Sequence, residues 1–456
     1  MEQSAKKLLG SVTISPEVIL ELEKEVKSIS AFKAKIEEHI AGDTTRLLDI
    51  ILLGAIKLEA SDIHIEPEDS NAKLRIRLDG ILQDVVFFDQ NIYQHLVSRL
   101  KLLSHLKLNI TDKPQDGRFT IEVGETLIEI RNSSLPAEYG ESIVMRILNP
   151  KSLIGLDDLG LRKDLYKIFE KEISKPNGMI IVTGPTGSGK TTTLYAFLKK
   201  IQNPEIKIIT IEDPIEYHLK GVSQTQVAPE KGYDFSDGLR SIVRQDPDVI
   251  LVGEVRDLET AKIALQAALT GHMVLSTLHT NDAAGTIPRL VDLGAEPSSI
   301  ASGLKMAIAQ RLVRKVCKKC STVSKPNSDE LIELKRGLKK LPASIKLPDL
   351  DKLQIARVKE KGCEFCNFTG YKGRQGLFEA FLVDSEMEKF ILTNPPVSSI
   401  RDLAIKKGMT TMYQSGLIDV ALGDTTLEEV KRVVEEDEDA TEPVIARSEA
   451  TKQSRT

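Results

Sequence analysis

Eight consecutive residues, Gly184-Pro-Thr-Gly-Ser-Gly-Lys-Thr191, have the spacing of a phosphate-binding loop. An apolar run from Met179 to Thr183 precedes them and a helix-prone run from Leu194 to Leu198 follows, which is the context that such a loop requires. Glycines let backbone N–H groups turn toward phosphate oxygens, and the N-terminus of the next helix adds the positive end of its dipole. Pattern and context agree, so we expect an ATP site and discard a chance glycine-rich turn.

The side chains of this loop have separate expected roles. Lys190 would bridge the terminal phosphates of ATP, and the Thr191 hydroxyl would be a ligand of Mg²⁺. The residues expected to contact the nucleotide here are Gly184, Pro185, Thr186, Gly187, Ser188, Gly189, Lys190, Thr191 and Thr192.

Acidic residues follow two further apolar runs. Thr210-Ile-Glu-Asp-Pro-Ile-Glu216 comes after a predicted buried strand, so its three carboxylates are expected at the edge of a parallel sheet where ligands bind. One of them could orient the attacking water as a general base, although a solvated acidic loop explains the spacing equally well. Val249-Ile-Leu-Val-Gly-Glu254 would deliver a second acid to the metal side of the nucleotide. Gly253 stands where an aspartate often holds Mg²⁺, so metal contact would fall to Thr191, Glu254 and water; a surface glutamate is the plainer alternative.

Two pairs of basic side chains are weaker candidates. His272 and His279 flank the run Met273 to Thr277, where a histidine could sense the γ-phosphate, but histidines at opposite ends of a strand are not expected to share a metal. Arg240 and Arg244 are four residues apart, which puts both on one face of a helix. They could neutralise a transferring phosphate, although a solvated basic face is the more common reason for such a pattern.

The cysteines occur in two pairs, Cys317/Cys320 and Cys363/Cys366. Four thiolates in two short-spaced pairs match a tetrahedral structural Zn²⁺ site, and neighbouring lysines favour the thiolate form. The gap between the pairs exceeds the common zinc-ribbon spacing, so free cysteines are the alternative. A closed four-cysteine site would hold the fold together without a catalytic role.

Composition limits the class of protein. A chain of 456 residues exceeds the usual size of one core, which predicts two or three domains. The 62 basic and 67 acidic residues give a net charge of -5, so the whole chain has no electrostatic bias toward nucleic acid or anionic lipid. The first residues lack the apolar core of a signal peptide, and the run Leu47 to Leu58 is too short and too charged to span a membrane. We therefore expect a cytoplasmic protein.

Hydrophobic periodicity divides the chain into segments. Residues 1–42 are predicted to be a helical leader, and Asp43 is predicted to cap a helix from Arg46 to Leu58. Alternating runs predict an α+β domain at 43–150, with turns at Asp79-Gly80 and Asp116-Gly117. The later predicted segments are a linker at 151–165, a doubly wound α/β core at 166–316, a tetracysteine metal-binding insert at 317–376, a helical region at 377–434 and a disordered tail at 435–456. The predicted core strands are Met179–Thr183, Ile206–Ile211, Val249–Val252 and Met273–Thr277.

Taken in order, these motifs resemble those of the type II secretion and type IV pilus assembly ATPases. The resemblance covers roughly residues 43 to 434. Besides the motifs above, it is carried by Ala60-Ser-Asp-Ile-His-Ile-Glu-Pro67, Arg75-Ile-Arg-Leu-Asp-Gly80, Pro114-Gln-Asp-Gly-Arg118, Thr270-Gly-His-Met-Val-Leu-Ser-Thr-Leu-His279 and Thr369-Gly-Tyr-Lys-Gly-Arg-Gln-Gly376. It implies a RecA-like P-loop NTPase core behind a PAS-like domain of the N2 type.

The resemblance also implies roles for single residues. Glu216 would be the catalytic carboxylate, Glu254 the Walker B acid, and His272 and His279 the histidine box. The arginines implied to reach nucleotide phosphates are Arg240, Arg244, Arg131 and Arg146, the last two from the preceding domain.

The family implies a homo-hexameric ring, at the cytoplasmic face of the inner membrane, that acts on a platform protein of a pilus or secretion machine. The longer docking domain of many relatives is expected to be absent or reduced to the leader. Pilus retraction is the nearest alternative, but retraction motors generally lack the cysteine pairs. A nucleic-acid translocase is the alternative from another class, and with 4% aromatic residues and no tryptophan no direct nucleic-acid contact is expected. An adaptor that binds ATP without hydrolysing it is disfavoured by intact Lys190, Thr191, Glu216 and Glu254.

Overall fold

The computed structural model describes residues 11–339, 341–342 and 344–435. Its strands form two seven-stranded sheets and one two-stranded sheet within this part of the chain. The tail predicted to be disordered lies outside the described residues, apart from Glu435. None of the helices in the described ranges is long and apolar enough to cross a membrane.

The first sheet has the strand order β1-β5-β6-β7-β2-β3-β4. Its strands are β1 (Ser11–Thr13), β2 (Asp62–Pro67), β3 (Asn71–Leu78), β4 (Ile81–Asp89), β5 (Gln115–Val123), β6 (Thr126–Ala137) and β7 (Gly140–Leu148). The helices that accompany it are α1 (Pro16–Glu25), α2 (Ile29–His39), α3 (Thr44–Lys57) and α4 (Gln90–Leu103). Buried and partly exposed residues alternate strictly along β3, as expected for a strand with one face on the core.

The leader differs from its prediction, because it is part of the first domain. Strand β1 pairs in parallel with β5, and Leu22 of α1 and Phe32 of α2 are buried in the same core as α3. The domain therefore does not begin at residue 43. A three-residue strand is too short to show periodicity, and one exposed face makes these helices look charged. The predicted cap is confirmed, since the Asp43 carboxylate accepts from the Arg46 N–H at 3.0 Å.

One predicted turn was right and the other was wrong. Asp79 and Gly80 connect β3 to β4 with φ values of 48° and 85°. Asp116 and Gly117 instead lie inside β5. A Cβ on Gly117 would lie 2.2 Å from the Ser104 carbonyl oxygen, so this glycine serves close backbone approach and not a turn.

The second sheet has the order β10-β9-β11-β12-β8-β13-β16. Its strands are β8 (Gly178–Thr183), β9 (Ile208–Glu212), β10 (Ser223–Gln226), β11 (Val249–Val252), β12 (Met273–Leu278), β13 (Leu304–Val316) and, after the small-sheet strands β14 (Thr322–Ser324) and β15 (Ile355–Arg357), β16 (Tyr371–Leu382). All four predicted core strands are present. The sheet is parallel except that β16 runs antiparallel to β13, so it is mixed at one edge.

Helices cover both faces of the second sheet. The helices of this part of the chain are α5 (Lys163–Ile173), α6 (Lys190–Ile201), α7 (Phe235–Val243), α8 (Leu258–Leu269), α9 (Thr286–Asp292), α10 (Pro297–Gly303), α11 (Ser328–Leu338), α12 (Ser385–Ile391), α13 (Val397–Lys406), α14 (Met412–Leu422) and α15 (Leu427–Val433); α11 packs on α14 and not on this sheet. One core holds α7, α8 and α10, and the other holds α5 and α6, which is the doubly wound arrangement. The predicted boundary at residue 376 was wrong, because it cuts through β16, which belongs to the ATP-site sheet.

Candidate functional site

The predicted phosphate loop connects the end of β8 to the start of α6. Gly184, Gly187 and Gly189 have φ values of 147°, 79° and 90°, which are costly for residues with a Cβ. A Cβ on Gly184 would lie 2.6 Å from the Gln310 carbonyl oxygen of β13. The loop is therefore curved and held close against its neighbouring strand.

Side chains of the loop are arranged around its inner face. Lys190 Nζ donates to the carbonyl oxygens of Gly184 and Pro185, at 2.8 and 3.2 Å. The Ser188 hydroxyl is buried and has no hydrogen-bond partner among the described residues. Because an orphaned buried hydroxyl is costly, this loop fits a ligand that supplies acceptors, as phosphate oxygens do.

A cleft of about 450 Å³ opens above the loop. The predicted residues that line it are Thr186, Gly187, Ser188, Gly189, Lys190, Thr191, Thr192, Glu216, Glu254, His279 and Arg146. Asp213, Tyr217, Arg256, Leu312 and Arg374 also line it. The walls come from both sheets, since Arg146 lies on β7 and Arg374 on β16.

Glu254, directly after β11 and Gly253, faces the loop lysine. Its side chain is 13% exposed and pairs with Arg256 at 2.5 Å and with His279 Nε2 at 3.6 Å. Burial lowers the pKa of Lys190 while Glu254 opposes that shift, which places the two charges within electrostatic reach. Gly253 approaches β9, where a Cβ would lie 3.3 Å from the Ile211 carbonyl oxygen.

The three acids of the segment 210–216 divide into different environments. Glu212 is buried and bound by the Thr210 and Tyr195 hydroxyls and by Gln224, so its oxygens are already occupied. Glu212, Asp213 and Glu216 all line the cleft, but Glu216 is outside that network, and its carboxylate pairs with Arg131 at 3.0 Å. This separation favours Glu216 over Glu212 as the acid that contacts a reacting water.

The predicted arginines of the first domain lie side by side. Arg131 of β6 and Arg146 of β7 are paired in register. Arg146 lines the cleft and pairs with Asp62 at 3.1 Å. Arg131 instead pairs with Glu216 at 3.0 Å and donates to the Ile215 carbonyl oxygen, so it contacts the acid of the cleft and not its open space.

Arg240, Arg244 and His272 do not line this cleft. Arg240 pairs with Glu259, and Arg244 donates to Ser241 at the exposed end of α7. His272 precedes β12 at the end opposite His279, and its Nδ1 lies 3.0 Å from the Ala267 carbonyl oxygen. Within one chain these contacts are those of a solvated helix face and of a histidine beside a backbone carbonyl, so the nucleotide roles predicted for the three residues stay predictions.

Two arginines of the cleft were missed by the sequence reasoning. Arg256 follows Glu254 by two residues, so its proximity to the predicted acid was the available signal. Arg374 lies in the glycine-rich segment 369–376, and only the pairing of β16 with β13 brings it to the cleft. Burial and Glu216 raise the pKa of Tyr217, whereas Arg131, Arg146 and Arg374 lower it, so all three cations are within electrostatic reach of this side chain.

The four cysteines form one cluster, with thiol sulfurs within 4.8 Å of one another. Sγ–Sγ distances are 3.8 Å for Cys317–Cys363 and for Cys320–Cys366, and 3.7 Å for Cys363–Cys366. Zinc–sulfur bonds of about 2.3 Å in a tetrahedron put the sulfurs about 3.8 Å apart, so the cluster fits Zn²⁺. Backbone N–H groups of Cys363 and Gly370 donate to Cys366 Sγ, as second-sphere contacts to a thiolate do.

A phosphate loop between a strand and a helix, facing an acid on a neighbouring parallel strand, defines a P-loop NTPase. A family model described as Type II/IV secretion system protein matches residues 37–432. The chain belongs to this family and is an ATP hydrolase, which confirms the resemblance found in the sequence.

Relatives and solved structures agree with this assignment. The chain is 42% identical over 398 residues to the type II secretion system protein E of Xanthomonas campestris pv. campestris, covering 86% of this chain and 67% of that one. It is 43% identical over 382 residues to the type IV pilus assembly ATPase PilB of Thermus thermophilus, covering 83% and 42% respectively. The ADP-bound pilus retraction motor PilT aligns at a TM-score of 0.57 and 27% identity, over 85% of this chain and 97% of that one. The Legionella pneumophila ATPase DotB shares the fold at a TM-score of 0.61 and 22% identity, over 85% and 94%.

Proposed function

We propose that this chain is a hexameric motor that couples ATP hydrolysis to assembly of a type IV pilus or a type II secretion pseudopilus at the cytoplasmic face of the inner membrane. The observation that carries the proposal is the two-domain cleft: the phosphate loop is on one domain and Arg146 is on the other. Hydrolysis at such a site depends on how closely the domains approach, so turnover can drive their relative motion.

Each residue of the cleft has a proposed part in the reaction. Lys190 would hold the terminal phosphates, and Thr191 and Glu254 would hold Mg²⁺ on the metal side of the nucleotide. Bound Mg²⁺ supplies charge neutralisation of the phosphates. Glu216 orients the attacking water, and Arg131 and Arg146 stabilise the transferring phosphate when the domains close.

The residues outside the cleft are proposed to act across the ring. The Arg240 side chain on helix α7 is 49% exposed, and Arg244, directly after the helix, is also exposed. His272 lies at the end of β12 opposite His279. In a ring, such surfaces face a neighbouring subunit, where a cation can reach a second nucleotide. A platform protein of the membrane machine is the proposed partner that receives the motion.

Assembly is favoured over retraction by two observations. The chain is 43% identical to an assembly ATPase and 27% identical to a retraction motor. The four-cysteine cluster, generally missing from retraction motors, is complete in this chain. Prepilin, prepilin-peptidase and platform-protein genes beside this gene would decide between pilus, secretion and DNA-uptake roles.

The catalytic proposal is tested with three variants of the full chain. Lys190→Ala is expected to abolish ATP binding, and Glu216→Gln to keep binding while losing turnover. Lys352→Ala, with a side chain 87% exposed, is the matched control and is expected to behave as the wild type. Steady-state phosphate release near the wild-type rate from either cleft variant would refute the assignment. Light scattering of the Glu216→Gln variant with ATP tests the hexamer.

A further inference from the structure

The tetracysteine module, predicted at residues 317–376, contacts the N-terminal domain at the start of helix α2. The backbone N–H of Ile29 donates to Asn367 Oδ1 at 2.8 Å, and Ser28 Oγ donates to Glu364 Oε1 at 3.2 Å. These partners are separated by more than 300 residues, the Ile29 pair by 338. The first N–H groups of a helix have no acceptor within the helix. Asn367 therefore supplies, from another domain, the acceptor that the Ile29 N–H lacks in its own helix.

We propose that the metal module is a clamp that caps α2 from outside and so fixes the N-terminal domain on the ATPase core. Ser28 is fully buried and already caps its own helix through the Ala31 N–H. Asn367 satisfies a second, separate N–H of the same turn. The clamp goes beyond the proposed motor function, because it assigns the cysteine cluster a mechanical task that needs no nucleotide.

The geometry of the capping segment depends on the cysteines around it. Asn367 and Phe368 both have left-handed backbones, with φ values of 50° and 61°, a costly arrangement for two successive residues with side chains. The N–H groups of Cys366 and Phe368 both bond to the Cys363 carbonyl oxygen, at 3.1 and 2.9 Å. A metal ion bound to Cys363 and Cys366 would hold this strained turn closed, and so would hold Asn367 against α2.

Further contacts continue along β16 toward the nucleotide. The Gly373 N–H donates to Asp79 Oδ2 at 2.9 Å, and Lys372 Nζ lies 3.7 Å from Glu59. The next residue, Arg374, lines the ATP cleft. One segment therefore contacts the metal cluster, the first domain and the nucleotide site in turn.

The clamp is tested by hydrogen exchange of the full-length, zinc-loaded protein without nucleotide. Asn367→Gly keeps the left-handed backbone and removes the acceptor, so the first-turn amides of α2 should exchange about fivefold faster. Asn367→Asp keeps an oxygen acceptor and should restore protection. Asn327→Gly removes a cap of α11 within the same module and should loosen α11 alone.

Zinc removal by a chelator forms the second arm. It should raise exchange in the first turn of α2 to the level of the Asn367→Gly protein, whose zinc content must remain that of the wild type. Wild-type exchange at α2 in Asn367→Gly overturns the clamp, as does chelation that loosens the module but not α2. If chelation unfolds the chain, the comparison of zinc-loaded Asn367→Gly with zinc-loaded wild-type protein still tests the clamp. Because no ATP is present, the outcome is separate from that of the catalytic variants.

Discussion

The Arg131 guanidinium, from the first domain, lies 3.0 Å from the Glu216 carboxylate at the ATP cleft. Arg131 also pairs with Glu129 at 3.3 Å, so two carboxylates share one cation. An ATP phosphate carries more charge than a carboxylate and would compete for this arginine. Binding would then release the acid proposed to orient water.

Arg131→Gln is expected to lower kcat about 100-fold, because the charge proposed to stabilise the transferring phosphate is lost. Steady-state phosphate release at saturating ATP measures kcat. Arg118→Gln is the control, since Arg118 is 68% exposed and 4.0 Å from Glu129. An unchanged kcat for Arg131→Gln would remove this residue from the mechanism.

The cysteine cluster is expected to bind one zinc ion per chain. Cys363→Ser should abolish binding, because a tetrahedral site with one thiolate missing loses a ligand and its charge. Elemental analysis of protein purified without chelator measures the content. Metal-free wild-type protein under those conditions would defeat the zinc proposal.

Glu429 is expected to stabilise the C-terminal helices in a pH-dependent way. Burial would raise its pKa, but hydrogen bonds from Arg432 and Arg314 outweigh burial and lower the pKa to about 2. The folded pKa lies below the unfolded value of about 4.3, so the stabilisation is complete above that pH and is lost as pH falls toward 2.

Glu429→Ala should therefore lower the free energy of unfolding by about 3 kcal/mol at pH 7, because two arginines lose a buried partner. The difference from wild type should shrink on acidification below about pH 4. Urea unfolding at several pH values measures both effects. Glu37→Ala, from a pair with both side chains 52% exposed, should cost less than about 1 kcal/mol, and equal losses would contradict the argument.

Gly117→Ala is expected to destabilise the first domain by about 2 kcal/mol, because the new methyl group would overlap the Ser104 carbonyl oxygen. Gly155→Ala is the control, since the atom that its Cβ would meet is 3.6 Å away. Denaturant unfolding compares them. A neutral Gly117→Ala would show that the strand can shift away from Ser104.

Local patterns predicted the parts of the fold and site that depend on neighbours in sequence. The phosphate loop, the four core strands and the cysteine cluster have short, dense signals. Arg374 could not be found this way, because it reaches the cleft only through the long antiparallel pairing of β16 with β13. The family resemblance also implied that Arg240 and His272 contact a nucleotide. It did not say whether that nucleotide is bound by the same chain or by a neighbouring subunit. The leader was misread because β1 pairs with a strand more than 100 residues later, and because only one face of α1 and α2 is buried, against α3.

Strand β13 has a mechanical consequence. Ala309 pairs with Thr183 beside the phosphate loop, and the same strand ends at Val316, one residue before Cys317. Strand β13 therefore joins the phosphate loop to the cysteine cluster within one sheet, with a register shift against β16 between Arg314 and Val316. Bending is then left to the connection at 149–162, which holds only two short 3₁₀ turns. In the proposed motor, that connection would be the pivot, and the phosphate loop and the cysteine cluster would move together.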